Sequence, residues 1–465
     1  MFAVAVFILG SGICGGAAST TMLIAGRVVQ GIGGSGITVL TNIIVSDIVS
    51  VRERGTFMGI IFAVITAGCI IGPVISGVIV QNGAWRWVFW FNVPIGGLTL
   101  VLQFFFLQVS FTKRLTFVEK MRQIDWVGNF MLVGSVVLVL IALSWADTRY
   151  SWSSWRIIVP LILGFAGMGA FHTYEASPVC KQPTVPSRIF GNRTTAVAIF
   201  LTFCQAMLMY WRLYFLPIYF QSVLLTSPSR AGVLLLSTIA TGMPFAVVGG
   251  SLLTKFGRYK PIHLVGFAVY TLTAGLYVTF DTDSSLAEVV IFQLIDGIAG
   301  CILTTILPAV QAGLPQQDVA VATGAWGFFR AYGGIWGIAI PAAIFNSRFS
   351  ALLSGVSDPT VAQELGAGHG YSHVSRAYIT ALPTGIREEV VGAYLGSLKL
   401  VWQVAIAFAG LCFVLVFLEK EINMSTTVSS DYGLKEKKKT EDSEANASHI
   451  VRSVGSESEE KKGTA

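Results

Sequence analysis

Charge is what this chain has least of. Asp, Glu, Lys and Arg make up only 12% of 465 residues, against 54% hydrophobic residues, too few ionic groups to clothe a water-soluble globule of this length. Cysteine pairing is missing too. Cys14, Cys69, Cys180, Cys204, Cys301 and Cys412 stand far apart, mostly within apolar runs, which excludes a disulfide framework, a Cys-based metal centre and a redox pair and leaves small packing residues. No Gly-x-x-x-x-Gly-Lys-Ser/Thr stretch is present to cradle a nucleotide phosphate, so ATP is excluded as an energy source. Of the five histidines, His172, His263, His369, His373 and His449, only His369 and His373 have metal-like spacing, and they fall in a predicted external loop. Enzyme chemistry, metals and cofactors are therefore not expected.

What the chain has instead is a succession of apolar runs. A helix needs about 20 such residues to cross a hydrocarbon core of ~30 Å, whereas a β-barrel would show alternating segments of about 10. The runs predict an all-α polytopic membrane protein with twelve transmembrane helices, over 2–18, 21–47, 56–80, 87–108, 124–146, 156–175, 195–221, 230–253, 261–280, 286–312, 319–345 and 398–419. An even count puts both termini on one side. Arg52, Arg54, Lys113, Arg114, Lys120, Arg122, Lys181, Arg188, Arg193, Lys255, Arg258 and Lys260 fall in one set of loops, against Arg86, Arg149, Arg156 and Arg230 in the other. Positive loops stay inside, so both termini are expected in the cytoplasm. The net charge of +6 is thus a topology signal, and no nucleic-acid partner is expected. Segment 350–397 reads as external and partly amphipathic, and 423–465, rich in Lys, Glu and Ser, as a disordered cytoplasmic tail.

Several motifs lie on these helices. Leu23, Arg27, Gln30, Gly31 and Gly34 recur at helical spacing, and their polar, narrow face is expected to be buried in protein. Arg27 is about six residues, or ~9 Å, from the outer end, and Asp47 is ~30 Å further along, so the two cannot pair. Gly68, Gly72, Pro73, Ser76 and Gly77 read as a close-packing stripe with a proline hinge. Trp85-Arg86-Trp87-Val88-Phe89 reads as an outer aromatic belt.

Leu23 to Gly36, Gly68 to Gly77, Trp85 to Gly97 and Asp125-Trp126-Val127-Gly128 resemble, in order and spacing, the fourteen-helix drug:proton antiporter family of the major facilitator superfamily, particularly its fungal members. Tyr214-Phe215-Leu216-Pro217-Ile218-Tyr219-Phe220-Gln221, Gly257-Arg258-Tyr259-Lys260-Pro261 and Phe329-Arg330 with Gly333 and Gly334 are similar to that family's second half. The resemblance implies export of drugs, toxins or other amphipathic small molecules, driven by proton entry through alternating access between two helix bundles. It also implies that 21–47 matches the family's fourth helix, so that the first two helices and the Gly/Asp/Arg loop after them are lacking. In the partial copy of that loop, Gly250 to Lys260, Thr254 stands where the pattern often has Asp. On this basis 1–108 is the remnant of the N-terminal half, 109–194 two linking helices, and 195–422 the C-terminal half.

Ionisable groups deep in a bilayer are rare and mark function by default. Arg27, Arg212, Asp296 and Arg330 are such groups, and Asp296 is the one carboxylate near the midplane. Asp296 either cycles protons or holds helices together as partner of Arg330 or Arg212. For Arg27 the resemblance implies proton coupling, the alternative being a hydrogen-bonded helix clamp. Arg212 either sets substrate preference or snorkels outward. Gln30, Gln205, Tyr210, Arg212, Tyr214, Gln221, Gln293, Gln311 and Trp326 are candidates for a substrate cavity, the aromatic ones being equally well explained as interfacial anchors. Asp47, Arg52, Glu53 and Arg54, with Gly257 and Arg258 in the later loop, form a cytoplasmic gate or act as ordinary topology determinants. The expected partners are a small-molecule substrate, protons and the lipid bilayer, with the chain a monomer in the plasma membrane or, alternatively, the vacuolar membrane. Related fourteen-helix proteins that move siderophores or basic amino acids, and a truncated protein without transport activity, are the rival readings.

Overall fold

The computed structural model describes residues 1–49, 85–106, 124–180, 186–366 and 376–422, together with 53, 56, 57, 59–61, 64, 65, 67, 68, 72, 79, 109, 110, 183, 184, 370, 373, 374, 433 and 434. Helices dominate the described residues because lipid offers the backbone no partner, and a helix satisfies its own N–H and C=O groups. In chain order they are α1 (Phe2–Gly15), α2 (Thr20–Ile48), α3 (Trp87–Trp90), α4 (Asn92–Phe106), α5 (Trp126–Trp145), α6 (Trp155–Ala176), α7 (Arg193–Ser222) and α8 (Pro228–Phe256). Then come α9 (Lys260–Val278), α10 (Leu286–Ile298), a 3-10 turn (Ala299–Thr304), α11 (Ile306–Gln311), α12 (Gln316–Leu353), α13 (Pro359–Leu365), α14 (Arg376–Ala381) and α15 (Thr384–Val416). Local chemistry sets many of the starts. Ser19, Asp125, Ser154, Asn192, Ser227 and Ser285 each accept a first-turn backbone N–H.

Ten stretches among the described residues are long and apolar enough to cross a membrane: Thr20–Val45, Trp87–Phe106, Trp126–Trp145, Trp155–Ala176, Arg193–Ser222, Arg230–Phe256, Lys260–Val278, Leu286–Gln311, Asp318–Leu353 and Thr384–Val416. Each coincides with an expected span. Of the other two, 2–18 is the shorter apolar helix α1, and 56–80 lies largely outside the described residues. The last span was expected from 398. Its helix begins at Thr384, because the polar turn Arg387-Glu388-Glu389 ends the apolar run without ending the helix. Likewise α12 continues to Leu353, beyond the expected 345.

The span expected over 286–312 is not one helix. A Cβ on Gly297 would lie 2.6 Å from the Thr238 carbonyl oxygen, one on Gly300 2.3 Å from that of Gly242, and one on Gly249 2.3 Å from that of Cys301. Backbone therefore meets backbone where α8 crosses this span. The 3-10 turn sits at that crossing, with Thr304 Oγ1 donating to the Ala246 carbonyl at 2.9 Å.

One large core runs through the later helices, with Trp211, Phe215 and Tyr219 of α7, Phe267 and Tyr277 of α9, Trp326 of α12, and Tyr394 and Trp402 of α15 all buried. The start of α7, the end of α8, the starts of α9 and α12 and the end of α15 share one end of the bundle, joined by contacts such as Arg193 to Leu418 and Lys260 to Phe417. Arg188, Arg193, Lys255, Arg258 and Lys260 gather there, making it the basic end of the bundle. At the other end Tyr219 donates to the Asp281 carbonyl at 2.8 Å, and Lys399 pairs with Asp281 at 3.7 Å.

Candidate functional site

Deep in the later helices, three elements converge on one carboxylate. Arg212 Nη1, from α7, donates to Asp296 Oδ1, from α10, at 2.8 Å, with side chains 10% and 2% exposed. The Thr273 hydroxyl, from α9, donates to the same oxygen at 2.8 Å. One turn earlier on α9, the Tyr270 ring lies under the guanidinium, its centroid 3.8 Å from Arg212 Cζ. Tyr270, Thr273 and Tyr277 share one face because they recur at three and four residues. A charge leaves water only when paired and hydrogen-bonded, and this pair meets both conditions.

Asp296 thus takes Arg212, and not Arg330, as its partner, and Arg212 does not snorkel outward. The reason is spacing along α7: Gln205 and Arg212 are seven residues apart, two helical turns, and both point into the core. Arg330, on α12, lies over the Trp326 ring at 5.5 Å. Gln293, one turn before Asp296, is fully buried, donating to the Val289 carbonyl at 3.1 Å and accepting from Thr238 at 3.3 Å. Tyr210 and Tyr214 stack at 6.4 Å, with Tyr210 packed on Gly334 and Tyr214 48% exposed. Gln221 donates to the Pro217 carbonyl at 3.4 Å, one turn back on its own helix, and Gln311 to the Thr323 hydroxyl at 2.6 Å.

In the early helices Arg27 Nη1 donates to Gln30 Oε1 at 2.6 Å, and Gln30 Nε2 to Ser11 of α1 at 2.8 Å. Gln30 is buried, but Arg27 is exposed, so the expected buried polar face is displaced. The contact with α1 runs instead along Gly26, Gln30 and Gly33. A Cβ on Gly33 would lie 2.3 Å from the Phe7 backbone, and one on Gly10 2.3 Å from the Gln30 backbone. Gly31 meets nothing within 4 Å, and Gly34 only the Phe7 ring at 3.7 Å. Gly31 is therefore not a packing glycine among the described residues. Gly68 and Gly72 have no described atom within 4 Å of a Cβ, and Pro73 and Gly77 lie outside the described residues.

The same holds for much of the expected gate: Arg52, Arg54 and the side chain of Asp47 lie outside the described residues. Gly257 caps α8 at φ +67°, a left-handed conformation that glycine adopts freely. Arg258 reaches Glu421 at 3.6 Å. The hydroxyls of Thr56 and Thr254 lie 2.8 Å apart, joining the early and later segments at the basic end, so the residue standing in place of Asp makes a neutral contact.

A second buried pair closes that end. His263 Nδ1 sits 2.9 Å from Glu419 Oε2, both side chains fully buried. Around it Lys260 Nζ donates to the carbonyls of Phe417 and Glu419, Arg193 to that of Leu418, and the Thr194 hydroxyl accepts from the Lys420 backbone. Tyr259 donates to the Lys420 carbonyl. Burial, and then the Glu419 carboxylate, push the Tyr259 phenol well above its ordinary range, which keeps it a donor. Sequence reasoning missed His263, Glu419, Tyr270, Thr273 and Tyr277. A stripe of hydroxyls at helical spacing on α9 was the available signal for the last three.

The comparisons with known proteins bear on the whole chain. The family model "Major Facilitator Superfamily" matches residues 1–338. "MFS-type efflux pump LUC4" of Fusarium sp is 46% identical over 96% of this chain and 80% of its own length. "Efflux pump FUS6" of Gibberella fujikuroi is 41% identical over 97% of this chain and 82% of its own. Among solved structures, a bacterial homolog to the human lysosomal transporter Spinster, inward-facing and occupied, matches over 90% of this chain and 81% of that chain with TM-score 0.44 and 18% identity, too loosely to place residues. With a matching family model over most of its length and relatives above two-fifths identity, this chain belongs to the Major Facilitator Superfamily.

Proposed function

We propose that this chain is a secondary active exporter that moves amphipathic small molecules out across a membrane in exchange for protons. Efflux follows from the relatives, which are named as efflux pumps and MFS-type transporters, and the chain is a transporter rather than an enzyme. The observation that carries the coupling step is the buried Arg212–Asp296 pair, a carboxylate held deep in an apolar bundle with its own counter-ion. Such a group takes a proton when the surroundings open to one side and yields it when they open to the other, because burial penalises its charge while Arg212 favours it. Arg27 and Arg330 are assigned to the same proton pathway, and Gln30, Gln205, Tyr210, Tyr214, Gln221, Gln293 and Trp326 to the wall that substrate meets. The gathering of Arg and Lys supports a cytoplasmic basic end with both termini there. The chain works as a monomer in the plasma membrane.

The test is reconstitution of the full chain into liposomes with an imposed pH gradient and a panel of amphipathic dyes. Dye movement opposite to the proton gradient, abolished by a protonophore, is expected. Flux of siderophores or basic amino acids alone would select the rival substrate class, and no gradient-dependent flux of any solute would overturn the reading.

A further inference from the structure

Beside the Arg212–Asp296 pair lies a small cavity of about 10 Å³, on the order of the space one water needs, lined by Arg212, Trp211, Tyr270, Tyr277 and Trp402 among apolar neighbours. Trp211 Nε1 and the Tyr277 hydroxyl, both on fully buried side chains, have no hydrogen-bond partner among the described residues. Buried donors left without an acceptor are rare, since each has given up its bond to water. The polar side chains on this wall are a guanidinium, indoles and phenols, and none is an obligate acceptor. An occupant must therefore accept hydrogen bonds.

We propose that the cavity holds one water molecule which, with the face of Tyr270, gives the Arg212 guanidinium a second berth that serves when Asp296 is neutral. This rests on the reading of Asp296 as a proton-exchanging carboxylate. When Asp296 gains a proton, Arg212 loses its anion but stays charged, and a buried cation stripped of its partner is strongly disfavoured. The π face 3.8 Å from Arg212 Cζ does not depend on the charge of Asp296, nor does a water that accepts from Trp211 Nε1, donates to the Tyr277 oxygen and so keeps one lone pair for the guanidinium. Proton arrival is thereby separated from disruption of the α7–α9–α10 junction. In this account Tyr270 and Tyr277 are positioning residues.

Two measurements on the full chain test it. In a structure in lipid nanodiscs at a resolution that shows waters, density within hydrogen-bond distance of Trp211 Nε1 and Tyr277 Oη is expected, and an empty cavity overturns the proposal. Infrared difference spectra then follow a protonated-carboxyl band, assigned to Asp296 by its loss in Asp296→Asn. In Tyr270→Leu, and in Ala274→Leu, which fills the cavity, the band is expected to need about tenfold more acid to appear, whereas Tyr270→Phe keeps the ring and follows the wild type. A wild-type band that none of these substitutions moves overturns the berth alone. Absence of any Asp296 band in the wild type overturns the proton-exchange reading and the berth with it.

Discussion

The helices before residue 107 and those after residue 192 are comparably apolar and both use glycine where backbones cross, yet only the later ones add a buried aromatic core. In the most apolar stretch of α7, 61% of residues are buried and in that of α2, 12%, while Gly96 is the one buried residue of α4. Trp211, Trp326, Trp402 and Tyr277, among the largest fully buried side chains, lie in the later helices, whereas Phe104, Phe105 and Phe106 are 65–79% exposed. The early pair α1–α2 is held by glycine, with backbone on backbone at Gly10 and Gly33. Lipid is as apolar as a leucine side chain, so association there depends on close fit rather than on escape from water. The aromatic core of the later helices can enclose a charged pair from every side. The glycine seam of the early ones leaves Arg27 at the surface.

Substitutions can break this contrast. The largest effect is expected from Asp296→Ala, which strands Arg212 and costs about 3–5 kcal/mol, whereas joint Arg212→Met and Asp296→Leu recovers most of it. Thermal unfolding in detergent reads both, and Arg27→Ala alongside them is expected to cost no more than about 1 kcal/mol, as for an exposed polar contact. Next, His263→Leu leaves the buried Glu419 carboxylate without its partner, at about 3 kcal/mol, and is expected to expose the chain near residue 420 to limited proteolysis. Gly33→Ala would bring a Cβ to 2.3 Å from the Phe7 backbone and cost about 2 kcal/mol, against no loss for Gly31→Ala on the same helix, which meets open space. If those two glycines prove equally sensitive, close backbone packing is not what holds α1 on α2. Thr254→Ala removes one hydroxyl contact between the early and later segments, about 1 kcal/mol, and its mark is a faster exchange of backbone amides near Thr56. The smallest effect, within about 0.5 kcal/mol, is expected for Phe105→Ala on the lipid-exposed face of α4.

Much of the fold was legible because its signal is additive along the chain. An apolar run of about 20 residues announces a span whatever lies opposite, so all ten stretches were foreseen. The start of α15 was not, because Arg387, Glu388 and Glu389 change polarity without changing helicity. Asp296 stood out as a lone deep carboxylate, but its partner did not: Arg212 and Arg330 are both deep cations, and periodicity within one helix says nothing about which neighbour it faces. Tyr270, Thr273 and Tyr277 carry no charge and hide among apolar residues. His263 and Glu419 are 156 positions apart, and only the fold brings them together.

The account stands or falls on whether Asp296 carries the proton that drives transport. Asp296→Asn keeps a hydrogen-bonding group beside Arg212 but holds it neutral, so in reconstituted liposomes this variant is expected to exchange labelled for unlabelled substrate across the membrane while losing all accumulation driven by a pH gradient. Accumulation by Asp296→Asn at the wild-type rate would contradict the account.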